Sequence, residues 1–230
     1  MRIVAVHGTR FSASQWQHYP ALLPDHDLIA VDLPGHGRRA GQRFSMDYAV
    51  DVVADAVAGR PAIVAGHSLG GYVATAYAAR HRSQLRGLAL IGASAEPSEH
   101  PILRRLYTGF AGLVGRVGPA RAAACVNRIL TVAGVGESQL PGVAGYEVVT
   151  DAWNSVIAGC GARQLTGLRV PVLIVNGQFD QMRIDATAYA HQCALSRIVT
   201  VKGATHLLPL THPGQVAAAL NDLAARADSR

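Results

Sequence analysis

Short, continuous apolar runs alternate with helical patterns along most of this chain, and this alternation restricts the fold more than any other feature. Six runs rich in Val, Ile and Ala are predicted strands, at residues 3–6, 28–31, 62–65, 87–91, 171–175 and 198–201. Unbroken apolar runs of this length are typical of parallel strands buried on both faces. Helical patterns lie between them, at residues 14–23, 47–58, 69–81, 184–193 and 213–226. The sequence therefore predicts an α/β fold with a doubly wound, mostly parallel sheet of about six strands.

One segment interrupts the alternation and is predicted to be a helical lid. Residues 96–169 contain helical patterns at 102–117, 120–132 and 148–157 and no clear strand. At roughly 70 residues, the segment exceeds an ordinary crossover connection. We expect a core of residues 1–95 and 170–230, with the insert over the crevice at the strand ends. The alternative is that these helices only thicken the core. The apolar side chains on the first of them could line a substrate site or simply pack the insert onto the sheet: Leu106, Tyr107, Phe110 and Leu113.

Composition excludes several classes of protein. Only 16% of the 230 residues are charged and 50% are hydrophobic, so a disordered chain is excluded. The three cysteines form neither an even set nor a CxxC pair, which argues against a disulfide framework and a structural zinc site. The net charge of +6 comes from scattered arginines without interleaved aromatics, so no nucleic-acid partner is predicted. With no signal-peptide pattern and no apolar run of about 18 residues, we expect a cytoplasmic protein without a membrane span.

A Gly-x-Ser-x-Gly motif joins the third predicted strand to the helix that follows it. The motif is formed by Gly66, Ser68 and Gly70. A serine on a very tight strand-to-helix turn is held in a strained conformation, and the positions two before and two after it tolerate only small residues. Such a turn lifts the hydroxyl clear of the sheet. We therefore predict that Ser68 is a catalytic nucleophile, the alternative being an ordinary turn serine.

A serine nucleophile needs a base and an acid that orients the base, in the chain order Ser, Asp or Glu, His. Asp180 ends the loop after the predicted strand 171–175 and is the preferred acid. Glu96, just past the strand 87–91, is the alternative. Asp185 falls inside the next helical pattern and Asp151 inside the insert, where a solvated position is expected for both.

The base is predicted to be His206, which follows the last predicted strand and so reaches the same sheet edge as Ser68. His212 precedes a proline and is expected to begin the last helix. His67 belongs to the motif itself, and the geometry of the turn is expected to point it away from the crevice.

Two backbone N–H groups are candidates for an oxyanion hole. Leu69 follows the nucleophile at a helix N-terminus, where its N–H has no partner within the helix. Thr9 follows His7 and Gly8 in the loop after the first strand, where a second donor is expected and glycine permits close approach. The alternative for this loop is a plain turn at the end of a strand.

Together these motifs resemble those of the α/β-hydrolase superfamily. The resemblance runs from Met1 to about Ala225 and includes His7-Gly8, Trp16, the run 32–37 (Asp-Leu-Pro-Gly-His-Gly) and the serine motif. It implies a serine hydrolase with Ser68, Asp180 and His206 as the triad. The chain starts at what would be the third strand of most members, and this compact form resembles the methylesterase and hydroxynitrile lyase branch. The lyases carry Thr after the first His and Lys after the catalytic His; Gly8 and Leu207 stand there instead, which favours the esterase side.

We therefore expect an enzyme that hydrolyses a small or medium carboxylic ester, thioester or lactone through an acyl-enzyme. The expected partner is a small-molecule substrate, with no cofactor and no metal. The alternatives are other chemistry on the same fold, namely C–C bond hydrolysis, a lyase or cofactor-free perhydrolase reaction, or a non-enzymatic receptor for a small ligand. The sequence predicts neither the substrate nor the oligomeric state.

Overall fold

The computed structural model describes residues 1–229, and within them six strands form one parallel sheet. Each strand lies on a predicted apolar run, so the doubly wound α/β fold is confirmed. The structure extends most runs by one or two residues: β1 (Arg2–Val6), β2 (Asp27–Val31), β3 (Ala62–His67), β4 (Leu85–Ile91), β5 (Val172–Gly177) and β6 (Ser196–Val201). Every residue of β3 and β5 is buried, as expected for central strands covered on both faces.

Helices connect the strands and fill the segment between β4 and β5. In chain order they are α1 (Tyr19–Leu22), α2 (Met46–Val57), α3 (Leu69–Arg80), α4 (Pro101–Val117), α5 (Pro119–Val132), α6 (Ala144–Glu147), α7 (Val149–Gly159), α8 (Ala186–His191), α9 (Leu208–Thr211) and α10 (Pro213–Asp228). The single helix predicted over 14–23 is wrong. A 3₁₀ turn (Ala13–Trp16) precedes the short α1 instead, because Pro20 has no N–H to bond the carbonyl of Trp16.

The two faces of the sheet carry separate hydrophobic cores, because successive side chains of a strand point to opposite faces. Val4 and Val64 pack with residues of α2, α3 and α8 on one face. Ile3 and Ile63 pack with residues of α1 and α10 on the other. The chain therefore winds helices on both sides, and only the strand ends stay open for a site.

The strand order β2-β1-β3-β4-β5-β6 places a switch point between β1 and β3. From β1 the chain moves to β2 on one side, and from β3 it proceeds to the other side. The loops that leave the carboxyl ends of β1 and β3 therefore separate and open a crevice, where parallel sheets bind ligands. Thr9 follows β1 and Ser68 follows β3, so both lie at this crevice.

The insert is tied to the core where it begins, and its beginning is tied in turn to its end. Asp185, which precedes α8, accepts a hydrogen bond from the Glu96 N–H at 2.8 Å and lies 2.8 Å from His100 Nε2. Glu96 in turn accepts the Ala162 N–H at 2.7 Å. The expectation that Asp185 is solvated is therefore wrong, because its carboxylate anchors the start of α4.

Candidate active site

The turn between β3 and α3 holds Ser68 in a conformation that few residues adopt. Its φ is 51° and its ψ is −118°. A Cβ on Gly66 would collide with the backbone of Gly70, and one on Gly70 with the carbonyl oxygens of Val6 and His7. The motif glycines are therefore required by backbone contacts. A strained non-glycine residue held by such contacts is typical of a functional site.

Ser68, His206 and Asp180 form a continuous hydrogen-bonded chain at the carboxyl edge of the sheet. His206 Nε2 lies 3.0 Å from Ser68 Oγ, and His206 Nδ1 lies 2.9 Å from Asp180 Oδ1. Asp180 Oδ1 also accepts the N–H of Met182 at 2.8 Å, which orients the carboxylate. The distances match those between a nucleophile, its base and the residue that orients the base.

Asp180 is kept ionised although its side chain is fully buried. Burial by itself would raise its pKa. The hydrogen bond and the charge of His206, together with the Met182 N–H, outweigh that effect and leave the pKa of Asp180 lowered. Gly92 has φ +55° and makes room for the carboxylate, since a Cβ there would lie 2.8 Å from Asp180 Oδ2. Sequence reasoning missed Gly92, because only the fold brings the end of β4 beside the loop after β5.

The other acids and the other candidate base lie elsewhere. Glu96 binds the backbone of Ala162, Asp185 binds His100, and Asp151 is exposed on α7. His212 lies beside the Thr211 hydroxyl before α10. Within residues 1–229, no side chain except that of Asp180 bonds His206 Nδ1.

The backbone N–H groups of Thr9 and Leu69 make no hydrogen bond to any other residue of the described chain. Three neighbouring N–H groups are bonded: Gly8 to Gln15 Oε1 at 3.0 Å, Arg10 to His36 Nε2 at 3.3 Å and Ser68 to the Ile91 carbonyl at 2.9 Å. Two unbonded donors on either side of the serine are what an oxyanion requires.

Buried histidines and Asp32 hold the loop that carries Thr9. His7 Nδ1 donates to the Gly8 carbonyl at 2.8 Å, and its Nε2 accepts the Leu33 N–H at 3.0 Å. His36 uses the same tautomer, donating to the Pro34 carbonyl at 2.9 Å. Asp32 Oδ1 accepts the Ala13 N–H at 2.8 Å. The run 32–37 thus supports the loop and does not itself line the cavity.

His67 does not point away from the crevice, so that expectation is wrong. His67 is one of the residues that line the cavity; its buried ring has its centroid 4.9 Å from that of His206, and its Nε2 lies 2.9 Å from the His206 carbonyl. A carbonyl oxygen only accepts, so His67 donates to it. Burial, with the nearby His206, lowers the pKa of His67 to about 3 and keeps it neutral. His67 therefore positions the backbone of His206.

Because three histidines are buried, we expect the protein to lose stability in mild acid. Burial lowers the pKa of His7 and His67 to about 3 and of His36 to about 4, from 6.5. Below pH 6.5 the unfolded chain binds more protons than the folded one, so stability falls as pH falls. We expect each histidine to contribute about 1–2 kcal/mol of destabilisation between pH 7 and 5.

Urea unfolding at several pH values tests this expectation. His36→Gln removes one of the three groups and should flatten the slope of unfolding free energy against pH by about one third. His18→Gln removes an exposed histidine and should leave the slope as it is. A wild-type slope near zero between pH 7 and 5 contradicts the neutral, buried state of these rings.

A cavity of about 310 Å³ lies beside Ser68 and His206. Its walls come from the loop after β1, from β3 and from the insert. The insert supplies Leu103, Leu106, Tyr107 and Phe110 from α4, and Trp153 from α7. The rings of Tyr107 and Trp153 stack with centroids 3.8 Å apart. Leu113 is instead 53% exposed, so only part of the apolar stripe on α4 lines the cavity.

Sequence reasoning missed several cavity residues: Arg10, Phe11, Leu103, Trp153 and Gln181. No local signal marks them, because they reach the cavity through packing between elements distant in the chain. Within residues 1–229, no group of three His, Cys, Asp or Glu side chains is placed to hold a metal ion. The helices of that range include none with the length and apolar character needed to cross a membrane.

The model of the alpha/beta hydrolase family matches residues 3–219 of the chain. The chain is similar to a 2-succinyl-6-hydroxy-2,4-cyclohexadiene-1-carboxylate synthase from Enterobacter sp. (strain 638), with 33% identity over 39% of this chain and 36% of that enzyme. A pimeloyl-(acyl-carrier protein) methyl ester esterase from Xylella fastidiosa (strain M12) is 27% identical over 95% of this chain and 92% of its own length. The first curated relatives are covered over only 41% and 36% of their length.

Among solved structures, a thermophilic esterase from Thermogutta terrifontis superposes with a TM-score of 0.76. The match covers 99% of this chain and 90% of that one, with 24% sequence identity. At that identity, the likeness speaks for the fold alone.

Proposed function

This chain belongs to the alpha/beta hydrolase family, and on that premise we propose that it is a serine hydrolase cleaving a small or medium carboxylic ester. The observation that carries the proposal is the 3.0 Å separation of Ser68 Oγ and His206 Nε2, with Asp180 bonded behind the imidazole. The similarity to a relative named as a methyl ester esterase along 95% of the chain supports the same reaction class.

The proposed reaction begins with Ser68. Its Oγ attacks the ester carbonyl carbon while His206 Nε2 takes the hydroxyl proton. The oxyanion that forms accepts hydrogen bonds from the N–H groups of Thr9 and Leu69. Asp180 stabilises the imidazolium and keeps Nε2 directed at the serine. His206 then gives the proton to the leaving alkoxide, which departs as the alcohol and leaves an acyl-enzyme.

Water then hydrolyses the acyl-enzyme, with His206 again transferring the proton. His206 takes a proton from a water molecule, and the resulting hydroxide attacks the acyl carbon. The tetrahedral species collapses, the acid leaves, and Ser68 recovers its proton from His206. A thioester or a lactone would follow the same steps with a thiol or a tethered alcohol as the leaving group.

Residues 96–169 serve as a lid in this proposal, over a core of residues 1–95 and 170–230, of which residue 230 lies outside the described residues. Support comes from the five side chains of α4 and α7 that line the cavity. A lid that excludes water strengthens the electrostatic stabilisation of the oxyanion. The apolar surface that it adds would hold the acyl chain or the alcohol.

A second reaction class also has specific support. The relative from Enterobacter sp. is named as a synthase, and 33% identity over 39% of this chain favours keeping non-ester chemistry as the alternative. In such a reaction Ser68, His206 and Asp180 would act on a substrate bond other than an ester.

A panel of p-nitrophenyl esters, graded from acetate to decanoate, tests the proposal. The cavity of about 310 Å³ has room for roughly ten water-sized groups. We therefore expect kcat/KM to be highest for short and medium acyl chains and to fall for the longest. Absence of turnover across the panel, together with conversion of a non-ester substrate, would favour the second class.

A further inference from the structure

Arg10 follows Thr9 in the loop after β1 and has a strained backbone. Its φ is +74°, a value that a side chain with a Cβ rarely adopts. The insert fits closely against it: a Cβ on Gly145 would lie 2.5 Å from the Arg10 carbonyl oxygen. Glycine or asparagine would adopt this φ at a lower conformational cost. The presence of an arginine here therefore suggests that its side chain has a function.

The guanidinium of Arg10 has aromatic neighbours and no anionic partner. It lies over the ring of Phe110, 5.1 Å from the centroid, and 5.5 Å from the ring centroid of Tyr146. Five other arginines pair with carboxylates, namely Arg2, Arg38, Arg60, Arg80 and Arg197. No carboxylate of residues 1–229 forms an ion pair with Arg10, and burial lowers its pKa. The Tyr146 hydroxyl interacts with one donor of the guanidinium, and the other donors are available to a ligand.

Arg10 also carries the permanent charge among the described residues that line the cavity. Among the described residues that line the cavity, it is the one arginine, and no lysine, aspartate or glutamate joins it. His67 is neutral, and the walls from α4 and α7 are mostly apolar. An ion pair formed away from water is stronger than one on the surface, and a planar guanidinium matches a carboxylate with two parallel bonds.

We propose that Arg10 binds a carboxylate of the substrate, so that the preferred esters are small and carry one free carboxylate, as monoesters of short dicarboxylic acids do. A single guanidinium balances a single negative charge, which favours a monoanion. This inference rests on the proposed ester hydrolysis and adds the substrate class. Arg104 and Arg105 on α4 are exposed and lie outside the cavity, so they do not supply this recognition.

The test compares anionic and neutral esters of matched size. Methanol release is measured from monomethyl glutarate and methyl pentanoate, and acetate release from acetoxyacetate and propyl acetate. These pairs place the carboxylate on the acyl side and on the alcohol side.

We expect the wild-type enzyme to prefer the anionic member of at least one pair by tenfold or more in kcat/KM. Arg10→Met should reduce that preference by about 10- to 150-fold, the usual effect of losing a charge-assisted hydrogen bond.

Two further variants separate recognition from general attraction and from packing. Arg105→Met removes an exposed cation of the same type and should keep the wild-type preference. Arg10→Lys keeps the charge without the paired donors and should retain part of the preference. If Arg10→Met does not fold, Ser68→Ala is titrated with monomethyl and dimethyl glutarate. At least tenfold tighter binding of the monoanion supports the proposal, and equal binding overturns it.

The outcomes for the two proposals are distinct. Full turnover in Ser68→Ala removes the proposed hydrolysis, whatever Arg10 does. Loss of turnover in Ser68→Ala, with equal kcat/KM for anionic and neutral esters, removes only the assignment of Arg10. A wild-type preference that survives Arg10→Met at full strength also overturns that assignment and leaves a packing role against Phe110 and Tyr146.

Discussion

Ser68→Ala is expected to lower kcat/KM for the best ester of the panel by about 10⁴- to 10⁶-fold. The substitution removes the atom that attacks the carbonyl, and within residues 1–229 the side chain of Ser68 bonds no group except His206 Nε2. Alanine fits the space of serine, so the fold and the cavity are retained. The unbonded N–H groups of Thr9 and Leu69 would still polarise a carbonyl, which accounts for the residual rate.

Kinetics with p-nitrophenyl butyrate, alongside a thermal unfolding curve, measures this effect. Ser155→Ala is the matched control, because Ser155 is a partly exposed serine on α7, outside the cavity, that bonds only the Asp151 carbonyl among the described residues. It should keep wild-type kcat and KM. A Ser68→Ala enzyme that retains more than about one hundredth of the wild-type rate would place the reaction on another nucleophile.

Asp180→Asn is expected to lower kcat by about 10³- to 10⁴-fold while changing KM little. Asp180 Oδ1 accepts from both His206 Nδ1 and the Met182 N–H, and the lowered pKa keeps the carboxylate charged. An asparagine presents an amide of the same shape without charge. If its NH₂ faces Nδ1, the imidazole carries its proton on Nε2 and cannot accept one from Ser68.

The competing acid supplies the control for this variant. Glu96→Gln changes the other carboxylate weighed from the sequence, whose Oε1 bonds the Ala162 N–H and not His206. We expect kcat within about twofold of wild type in Glu96→Gln, together with a small loss of stability. A large kcat effect of Glu96→Gln, with none from Asp180→Asn, would reverse the assignment of the acid. Steady-state kinetics of both variants at pH 8 decides between them.

The fold could be predicted because its signals are local and strong. Each strand that is buried on both faces must be apolar throughout. The helices between the strands are marked by the helical spacing of their apolar residues. The serine motif carries its own constraint as well, since the glycines around Ser68 are required by contacts within the turn and with β1. The proximity of Asp180 and His206 to Ser68 is predictable because loops after parallel strands share one edge of the sheet.

The rest of the site depends on contacts between distant parts of the chain, which no local pattern records. Arg10 meets Phe110 and Tyr146 only because the insert folds back over the loop after β1. The turn alone suggested that His67 faces away, whereas its partner is the backbone of His206. Residues 13–22 do not form one helix, and Pro20 is the local signal for this break. The apolar spacing of the same segment favours a single helix, and that spacing is the misleading signal.

Labelling with a fluorophosphonate probe, read by intact-protein and peptide mass spectrometry, tests most directly whether His206 activates Ser68. We expect one adduct per chain on the peptide that contains Ser68. We also expect labelling to become slower by at least about 10³-fold in His206→Ala, since an unassisted serine hydroxyl is a weak nucleophile. An unlabelled protein that still hydrolyses esters, or an adduct on another residue, would show that Ser68 is not the activated nucleophile.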